Sequence, residues 1–234
     1  MKNSKFWLIP GLFFLVVCVL NLIGCLTDGS IETVVKPSLM PLLCITTLSY
    51  LLSKGVPVTR QVVLLMTAQL FGFAGDTALI GKGFLFFAGG ILLFLIGHIC
   101  YISLFGGQSW KGLKPLQWVL AVILMLAATA GLVLGIGVNG TMLAPMGIYA
   151  LVLMVLIFST FAGVLRPKAV KAGGRLTWCL LLLGALLFAF SDSLIAVRNF
   201  GHLSHFMDGF GVMSTYLLAQ SLLAIGGVRI ILKK

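Results

Sequence analysis

The sequence predicts an all-α membrane protein, a polytopic bundle of eight transmembrane helices with both termini in the cytoplasm. Hydrophobic residues make up 60% of the 234 residues and charged residues only 9%, whereas soluble domains carry about 25% charged residues. Apolar runs long enough to cross a bilayer recur along the whole chain. Lysine and arginine concentrate in alternate connections between these runs, as expected for cytoplasmic loops.

The apolar runs predict eight helices joined by short loops. No change in composition indicates a separate soluble domain, so residues 1–234 are expected to form a single transmembrane domain. The first run is long enough to span and has no small-residue cleavage site, which favours a helix over a signal peptide. Lys36-Pro37 and Lys114-Pro115 each predict a proline in the first turn of a helix. The predicted helices cover 6–26, 37–53, 60–80, 83–105, 115–138, 141–165, 176–197 and 207–231.

The positive charges are unevenly divided between the two sides of this bundle. With the N-terminus inside, only Lys36, Lys82 and Arg198 lie on the outer side, and the other thirteen basic residues are cytoplasmic. The net charge of +11 is then explained by anionic membrane lipids. No nucleic acid partner is expected, because no basic cluster is interleaved with exposed aromatic residues. The compact loops, with no eukaryotic retention signal, favour a bacterial inner membrane.

Two aspartates lie inside apolar segments of similar sequence. Asp76 lies in LFGFAGDTALI (70–80) and Asp192 in LFAFSDSLIA (187–196). Ionised groups are costly within a membrane, so such residues usually have a function. Both are expected about 6–8 Å below the outer ends of their helices, since each residue rises about 1.5 Å. A shared cavity follows, although two interfacial aspartates that never meet would give the same pattern.

Helices 3 and 7, which carry the two aspartates, are four helices apart. This spacing is compatible with two parallel four-helix repeats. Other polar and aromatic residues at helical spacing in helices 4 and 8 are candidates for lining the same site, with hydrogen bonding between helices as the alternative. They are His98, Tyr101, Tyr216 and Gln220. By count, His98 lies about 22 Å from the outer end of its helix, deeper than Asp76.

Metal and serine chemistry have weak support in the sequence. His202, His205 and Asp208 could contribute to a metal site, but a loop often provides such spacing by chance. The five cysteines have no metal-ligand spacing. No metal or other cofactor is therefore expected. The chain also lacks a G-x-S-x-G elbow, a phosphate-binding glycine loop and an H-E-x-x-H motif.

An ordered set of short motifs resembles the YhhN/lysoplasmalogenase family of eight-helix membrane proteins. The resemblance extends from about residue 36 to residue 220. It implies hydrolysis of the vinyl ether bond of lysoplasmalogens, which yields a fatty aldehyde and a glycerophospho-choline or -ethanolamine. The motifs are Lys36-Pro37, Gly75-Asp76, Gly97-His98-x-x-Tyr101, Gly184-x-x-x-Phe188-x-x-Ser191-Asp192 and Thr215-Tyr216-x-x-x-Gln220.

Two intramembrane carboxylates suit this reaction. One aspartate must be a neutral acid that protonates the vinyl ether, and the other an ionised base that activates water, as in glycoside hydrolysis. Asp192, flanked by phenylalanines, is the expected acid and Asp76 the expected base. Lys36 is expected to hold the phosphate of a lysophospholipid that enters from the bilayer. His98, Tyr101, Ser191, Tyr216 and Gln220 are expected to position substrate or water.

Three other functions remain open at this point. A small proton-coupled secondary transporter would also place acids inside the membrane. A metal-dependent lipid hydrolase of the alkaline ceramidase type has a similar size but a different histidine pattern. A non-catalytic sensor or accessory protein is the third alternative. The sequence carries no prediction of the oligomeric state.

Overall fold

The computed structural model describes residues 5–27, 30–166 and 174–233. None of these residues is in a β-strand, and the all-α prediction is confirmed. A short 3₁₀ turn, Gly140–Met142, leads into the sixth helix, and a π-helix, Met207–Gly211, leads into the last. The described residues form eight α-helices, which are α1 (Leu8–Leu26), α2 (Ser30–Ser53), α3 (Arg60–Ala78), α4 (Phe84–Ser109), α5 (Pro115–Ile136), α6 (Leu143–Leu165), α7 (Arg175–Phe200) and α8 (Val212–Leu232).

Seven of the eight helices are long and apolar enough to cross a membrane, and α3 is the exception. The apolar content of α3 is lowered by polar residues that never meet lipid, since Gln69 and Asp76 are both buried. α3 packs between α2 and α4 and also contacts α8. A mean hydropathy counts these two residues as if they faced the bilayer.

With seven helices long and apolar enough to span, the chain is an integral, multi-pass membrane protein.

Helix boundaries differ from the prediction at two places that matter for the site. α2 begins at Ser30, so Pro37 lies in the helix interior and the predicted first-turn position is wrong. The polar first turns of α2 continue the helix beyond its apolar run. Lys114-Pro115 does open α5, where the Gln117 side chain accepts a hydrogen bond from the Lys114 backbone N–H.

The expected equal depth of the two aspartates is also wrong when it is counted from the helix ends. α3 ends at Ala78, only two residues after Asp76, whereas α7 continues to Phe200, eight residues after Asp192. Hydrophobic runs give the length of a helix inside the hydrocarbon, and they miss turns that extend beyond it. α7 therefore extends further beyond its aspartate than α3 does.

Glycines allow the helices around the two aspartates to approach closely. A Cβ atom on Gly97 of α4 would lie 3.1 Å from the backbone oxygen of Ala68 in α3. A Cβ on Gly184 of α7 would lie 3.2 Å from the backbone oxygen of Ala219 in α8. Small residues at such crossings let membrane helices pack backbone against backbone. The pairs α3–α4 and α7–α8 are thereby held together around the site.

Candidate active site

Asp76 is the end point of a chain of hydrogen bonds that crosses three helices. The residue is 3% exposed, and its Oδ2 accepts a 2.7 Å hydrogen bond from the Tyr216 hydroxyl of α8. The Tyr216 oxygen accepts a longer bond, 3.4 Å, from Gln220 Nε2. Gln220 Oε1 in turn accepts a 2.8 Å bond from the Tyr101 hydroxyl of α4. The order of the chain is therefore Tyr101, Gln220, Tyr216 and Asp76.

The local sequence of α3 makes room for this chain. Gly72 lies one turn before Asp76, and a Cβ there would stand 3.1 Å from Gln220 Nε2 and 3.5 Å from the Tyr216 oxygen. Tyr216 and Gln220 are four residues apart, so they lie on the same face of α8. The absence of a side chain at position 72 lets that face reach α3.

Asp192 has a different partner in a more apolar setting. The residue is 8% exposed, and its Oδ2 accepts a hydrogen bond from the Tyr149 hydroxyl of α6. It also borders two small cavities of about 20 Å³ each, lined almost entirely by apolar side chains. Each is of the size that holds about one water molecule. Apart from Tyr149, no other described residue donates a hydrogen bond to the Asp192 side chain.

Aromatic rings fill the space between the two tyrosine–aspartate pairs. Phe188 of α7 lies 5.5 Å from Tyr216 and 4.4 Å from His98 between ring centroids. His98 of α4 lies 5.6 Å from Tyr149 on the other side. Phe94 packs edge-on against both Phe188 and Tyr216. An aromatic core therefore links the two tyrosine–aspartate pairs, and a cavity shared by both aspartates stays a prediction.

His98 is the least satisfied polar side chain in this core. It is 1% exposed, and neither ring nitrogen has a hydrogen-bond partner among the residues of the described ranges. A buried polar group left without a partner costs about 1–3 kcal/mol. Native proteins keep few such groups, and a catalytic role is one reason to keep one. His98 faces Tyr149 and Phe188 and makes no ring contact with Tyr216.

Lys36 lies at the Asp76 side of the site, but it has an acidic partner of its own. Its ammonium is 3.8 Å from Glu32 Oε1, one turn away on α2, and the side chain is only 14% exposed. Lys36 also interacts electrostatically with Asp76. The cation is therefore placed to balance charge near Asp76, in a less open position than the sequence suggests.

Ser191 lies beside Asp192 in sequence but uses its hydroxyl elsewhere. Its Oγ donates a 3.0 Å hydrogen bond to the backbone oxygen of Val212, at the start of α8. This contact ties α7 to the junction between the π-helix and α8. Such a junction often lies at a functional site.

Tyr149 is the site residue that the sequence reasoning missed. α6 carries no charge, so its run predicts only a hydrophobic span. The chain contains four tyrosines, and three of them, Tyr101, Tyr149 and Tyr216, are buried and hydrogen-bonded in this core. The scarcity of tyrosine in so apolar a chain is the signal that could have identified Tyr149.

The tyrosine partners do not follow the predicted four-helix repeat. A parallel repeat would match α4 to α8, so Asp192 would pair with Tyr101 as Asp76 pairs with Tyr216. Instead Asp192 takes its partner from α6, and Tyr101 joins the Asp76 side through Gln220. The repeat remains a prediction for the helices, and the chemistry of the site is asymmetric.

The loop histidines His202 and His205 are separate from this core. Asp208, which would complete their site, instead forms a 3.1 Å ion pair with Arg198. Within the part of the chain that the structure describes, no group of three histidine, cysteine or acidic side chains could hold a metal ion.

Comparison with known proteins connects this geometry to a family. Residues 31–227 match the YhhN family. Lysoplasmalogenase TMEM86A from Homo sapiens and lysoplasmalogenase TMEM86A from Bos taurus are each 30% identical to the chain over 162 residues. These alignments cover 68% of this chain and 62% of each relative, so the matched part spans less than two thirds of the relatives' length. No solved structure matches the chain. The family match covers the helices that carry both aspartates and all three buried tyrosines, and the chain belongs to the YhhN family.

Proposed function

We propose that this protein is a membrane hydrolase that cleaves the vinyl ether bond of lysoplasmalogens within a single transmembrane domain. The observation that carries the proposal is the pair of buried aspartates, each bound by a tyrosine and joined by one aromatic core. The names of the curated relatives supply the reaction class. The products are a fatty aldehyde and a glycerophospho-choline or -ethanolamine, and the proposed location is a bacterial inner membrane.

The reaction needs an acid and a base on opposite sides of the enol ether. Asp192 gives its proton to the β-carbon of the vinyl ether, which leaves an oxocarbenium ion at the α-carbon. Asp76 takes a proton from a water molecule as its oxygen bonds to that carbon. The resulting hemiacetal then collapses: the bond from its carbon to the glycerol oxygen breaks, that oxygen receives the proton now held by Asp76, and the hemiacetal hydroxyl gives its proton back to Asp192 as the aldehyde forms. One water is consumed and no oxidant or reductant is required.

The surroundings of each aspartate support this division of roles. Burial opposes the charged form of both carboxyl groups, and the cation of Lys36 partly offsets this effect at Asp76. Apolar walls favour the neutral form, and Asp192 borders two apolar cavities. Phe94 and Phe188 belong to the aromatic core that links the two pairs, and an aromatic face would stabilise the oxocarbenium ion because it attracts cations.

The remaining polar groups would position the substrate and the water. Tyr149 holds Asp192, and Tyr216 holds Asp76 through the chain that starts at Tyr101. The unpartnered nitrogens of His98 are available to a hydroxyl group of water or of the hemiacetal. Ser191, bonded to the α8 junction, would fix the position of its neighbour Asp192.

The test is aldehyde release by the purified protein in detergent with EDTA present. The substrate is a 1-alkenyl lysophosphatidylethanolamine, and its saturated-ether analogue is the chemical control. We expect aldehyde from the alkenyl lipid only, and a loss of at least about 100-fold in Asp76→Asn and in Asp192→Asn, the lower range for general acid–base groups. Thr77→Val is the matched control for Asp76→Asn. The Thr77 hydroxyl is exposed and donates its hydrogen bond only to the Phe73 backbone oxygen of its own helix.

Failure of this test has a defined meaning. No aldehyde from well-folded protein would contradict the hydrolase and favour the proton-coupled transporter. In that case the hydrogen-bond chain from Tyr101 to Asp76 would be the candidate proton path. Activity that disappears only with EDTA would instead favour a metal-dependent hydrolase.

A further inference from the structure

A groove of about 500 Å³ opens at the end of the bundle where α3 joins α4 and α7 ends. Its walls are the connection from Leu79 to Phe84, one turn of α4, and the last residues of α7. Two of its lining side chains, Lys82 and Arg198, are cations, and none of the described residues that line it is acidic. The groove therefore presents positive charge at the end of the bundle where α3 and α7 end.

The groove lies next to the catalytic aspartate proposed as the acid. Leu79 and Phe87 line both the groove and one of the small cavities that Asp192 borders. Arg198 is six residues beyond Asp192 on α7, which corresponds to about 9 Å along the helix axis. The glycerol part of a lysophospholipid spans a similar distance between its vinyl ether and its phosphate. A lipid with its ether at Asp192 would bring its phosphate to this groove.

The two cations have unused capacity to bind an anion. Arg198 pairs with Asp208 through Nη1 at 3.1 Å, and its side chain is still 38% exposed. A guanidinium group has five N–H donors, so the pair leaves donors for a phosphate. Lys82 is exposed and forms no ion pair with any residue of the described ranges. Lys36, by contrast, is mostly buried beside Glu32.

We propose that Lys82 and Arg198 bind the phosphate of the lysophospholipid and so place its vinyl ether beside Asp192. This inference rests on the proposed function and names the head-group subsite of the same reaction. Arginine suits the site because its planar fork matches two phosphate oxygens, and lysine adds a point charge. Lys82 and Arg198, in place of Lys36, then determine the preference for a phosphorylated substrate.

The test compares two substrates that differ only in the phosphate head group: the alkenyl lysophosphatidylethanolamine and the corresponding 1-alkenylglycerol. For Lys82→Gln and Arg198→Gln we expect KM for the phospholipid to rise about tenfold each, as for loss of a hydrogen bond to a charged group. The preference for phospholipid over alkenylglycerol, as a ratio of kcat/KM, should fall by the same factor. Lys111→Gln changes an exposed cation far along the chain and should leave the ratio unchanged.

A further variant separates phosphate binding from the ion pair. If Arg198 acted only by holding Asp208, Asp208→Asn would raise KM as much as Arg198→Gln does. We expect Asp208→Asn to leave KM unchanged or lower it, because it frees Arg198. An unchanged substrate ratio in both Lys82→Gln and Arg198→Gln would overturn the proposal.

Binding distinguishes failure of this inference from failure of the proposed function. The saturated-ether lysophospholipid cannot be hydrolysed at a vinyl ether, and it should still raise the melting temperature of the wild-type protein. The shift should shrink in Lys82→Gln and Arg198→Gln, and it should not be reproduced by glycerophosphoethanolamine or inorganic phosphate at equal concentration. The same shift in all variants would overturn the subsite, whatever the result for catalysis.

Discussion

The imidazole of His98 packs edge-on against the ring of Phe188, with centroids 4.4 Å apart and an interplanar angle of 81°. This contact and the Tyr149 ring fix the position of His98, since neither of its nitrogens is hydrogen-bonded within the described structure. Packing alone thus holds a polar ring between the two aspartates. Such an arrangement leaves both nitrogens free for a ligand.

His98→Phe separates this role from simple packing. Phenylalanine keeps the edge-on contacts and removes an unsatisfied polar group, so we expect thermal stability in detergent to be equal or higher. Aldehyde release should fall about tenfold or more, because the water or the hemiacetal loses its polar contact. A variant of equal stability and full activity would assign His98 to packing alone.

The two tyrosines that hold the aspartates give a second prediction. Tyr149→Phe and Tyr216→Phe each delete one hydroxyl and keep the ring contacts with His98 and Phe188. Loss of a hydrogen bond to an ionised or acidic group should lower kcat about 10- to 100-fold. KM should change little, because neither hydroxyl is proposed to bind the head group.

Tyr50→Phe is the control for that pair. Tyr50 packs against Trp7 with centroids 5.1 Å apart and lies outside the aromatic core. Its hydroxyl deletion should leave kcat unchanged. Equal losses in all three variants would point to a general effect of tyrosine removal on the fold and contradict a specific role for Tyr149 and Tyr216.

Most of the fold could be predicted because each helix carries its own signal. Apolar runs fix the helices wherever the lipid-facing side dominates, and α3 remains visible because its polar residues are few. The errors in the predicted helix boundaries lie where a helix and the hydrocarbon layer that it crosses differ in length. The first turns of α2, with Glu32 and Lys36, are helical and polar, so hydrophobicity could not extend the helix to them.

The candidate site was predictable in part for a related reason. An acid inside an apolar run is visible in the sequence, so Asp76 and Asp192 stand out from their neighbours alone. The partner of each acid depends on which helix packs beside it, and that is a property of the whole bundle. Tyr149 was missed on this account, and the hydroxyl of Ser191 bonds the α8 junction instead of the site.

Glycines on α3 allow a prediction about stability. In Gly75→Ala the new Cβ would stand 2.8 Å from the ring of Phe94, which Phe188 and Tyr216 hold in place. Overpacking of this kind costs about 1–3 kcal/mol. The melting temperature in detergent should fall, and the residual folded protein should lose activity because Phe94 is displaced.

Gly131→Ala provides the matched comparison for that substitution. Gly131 lies within α5, and a Cβ atom added there would meet no other side chain or helix within 4 Å. Alanine is favoured over glycine in a helix by about 1 kcal/mol, so stability should stay equal or rise. A similar loss of stability at both positions would contradict the close packing of Gly75 against Phe94.

Gln220 gives the last prediction, because it joins the two halves of the hydrogen-bond chain. Gln220→Met removes the acceptor of the Tyr101 hydroxyl and the donor to Tyr216, which should cost about 1–3 kcal/mol for the groups left unpaired. If the hydrogen-bond chain orients the Tyr216 hydroxyl toward Asp76, kcat per folded molecule should also fall. Tyr101→Phe then serves as the comparison: it leaves only the buried Gln220 Oε1 without its donor, whereas Gln220→Met breaks both bonds, so stability should fall less in Tyr101→Phe. A loss of stability in both variants with unchanged kcat per folded molecule would contradict a catalytic role. The hydrogen-bond chain would then be only a structural link between α4 and α8.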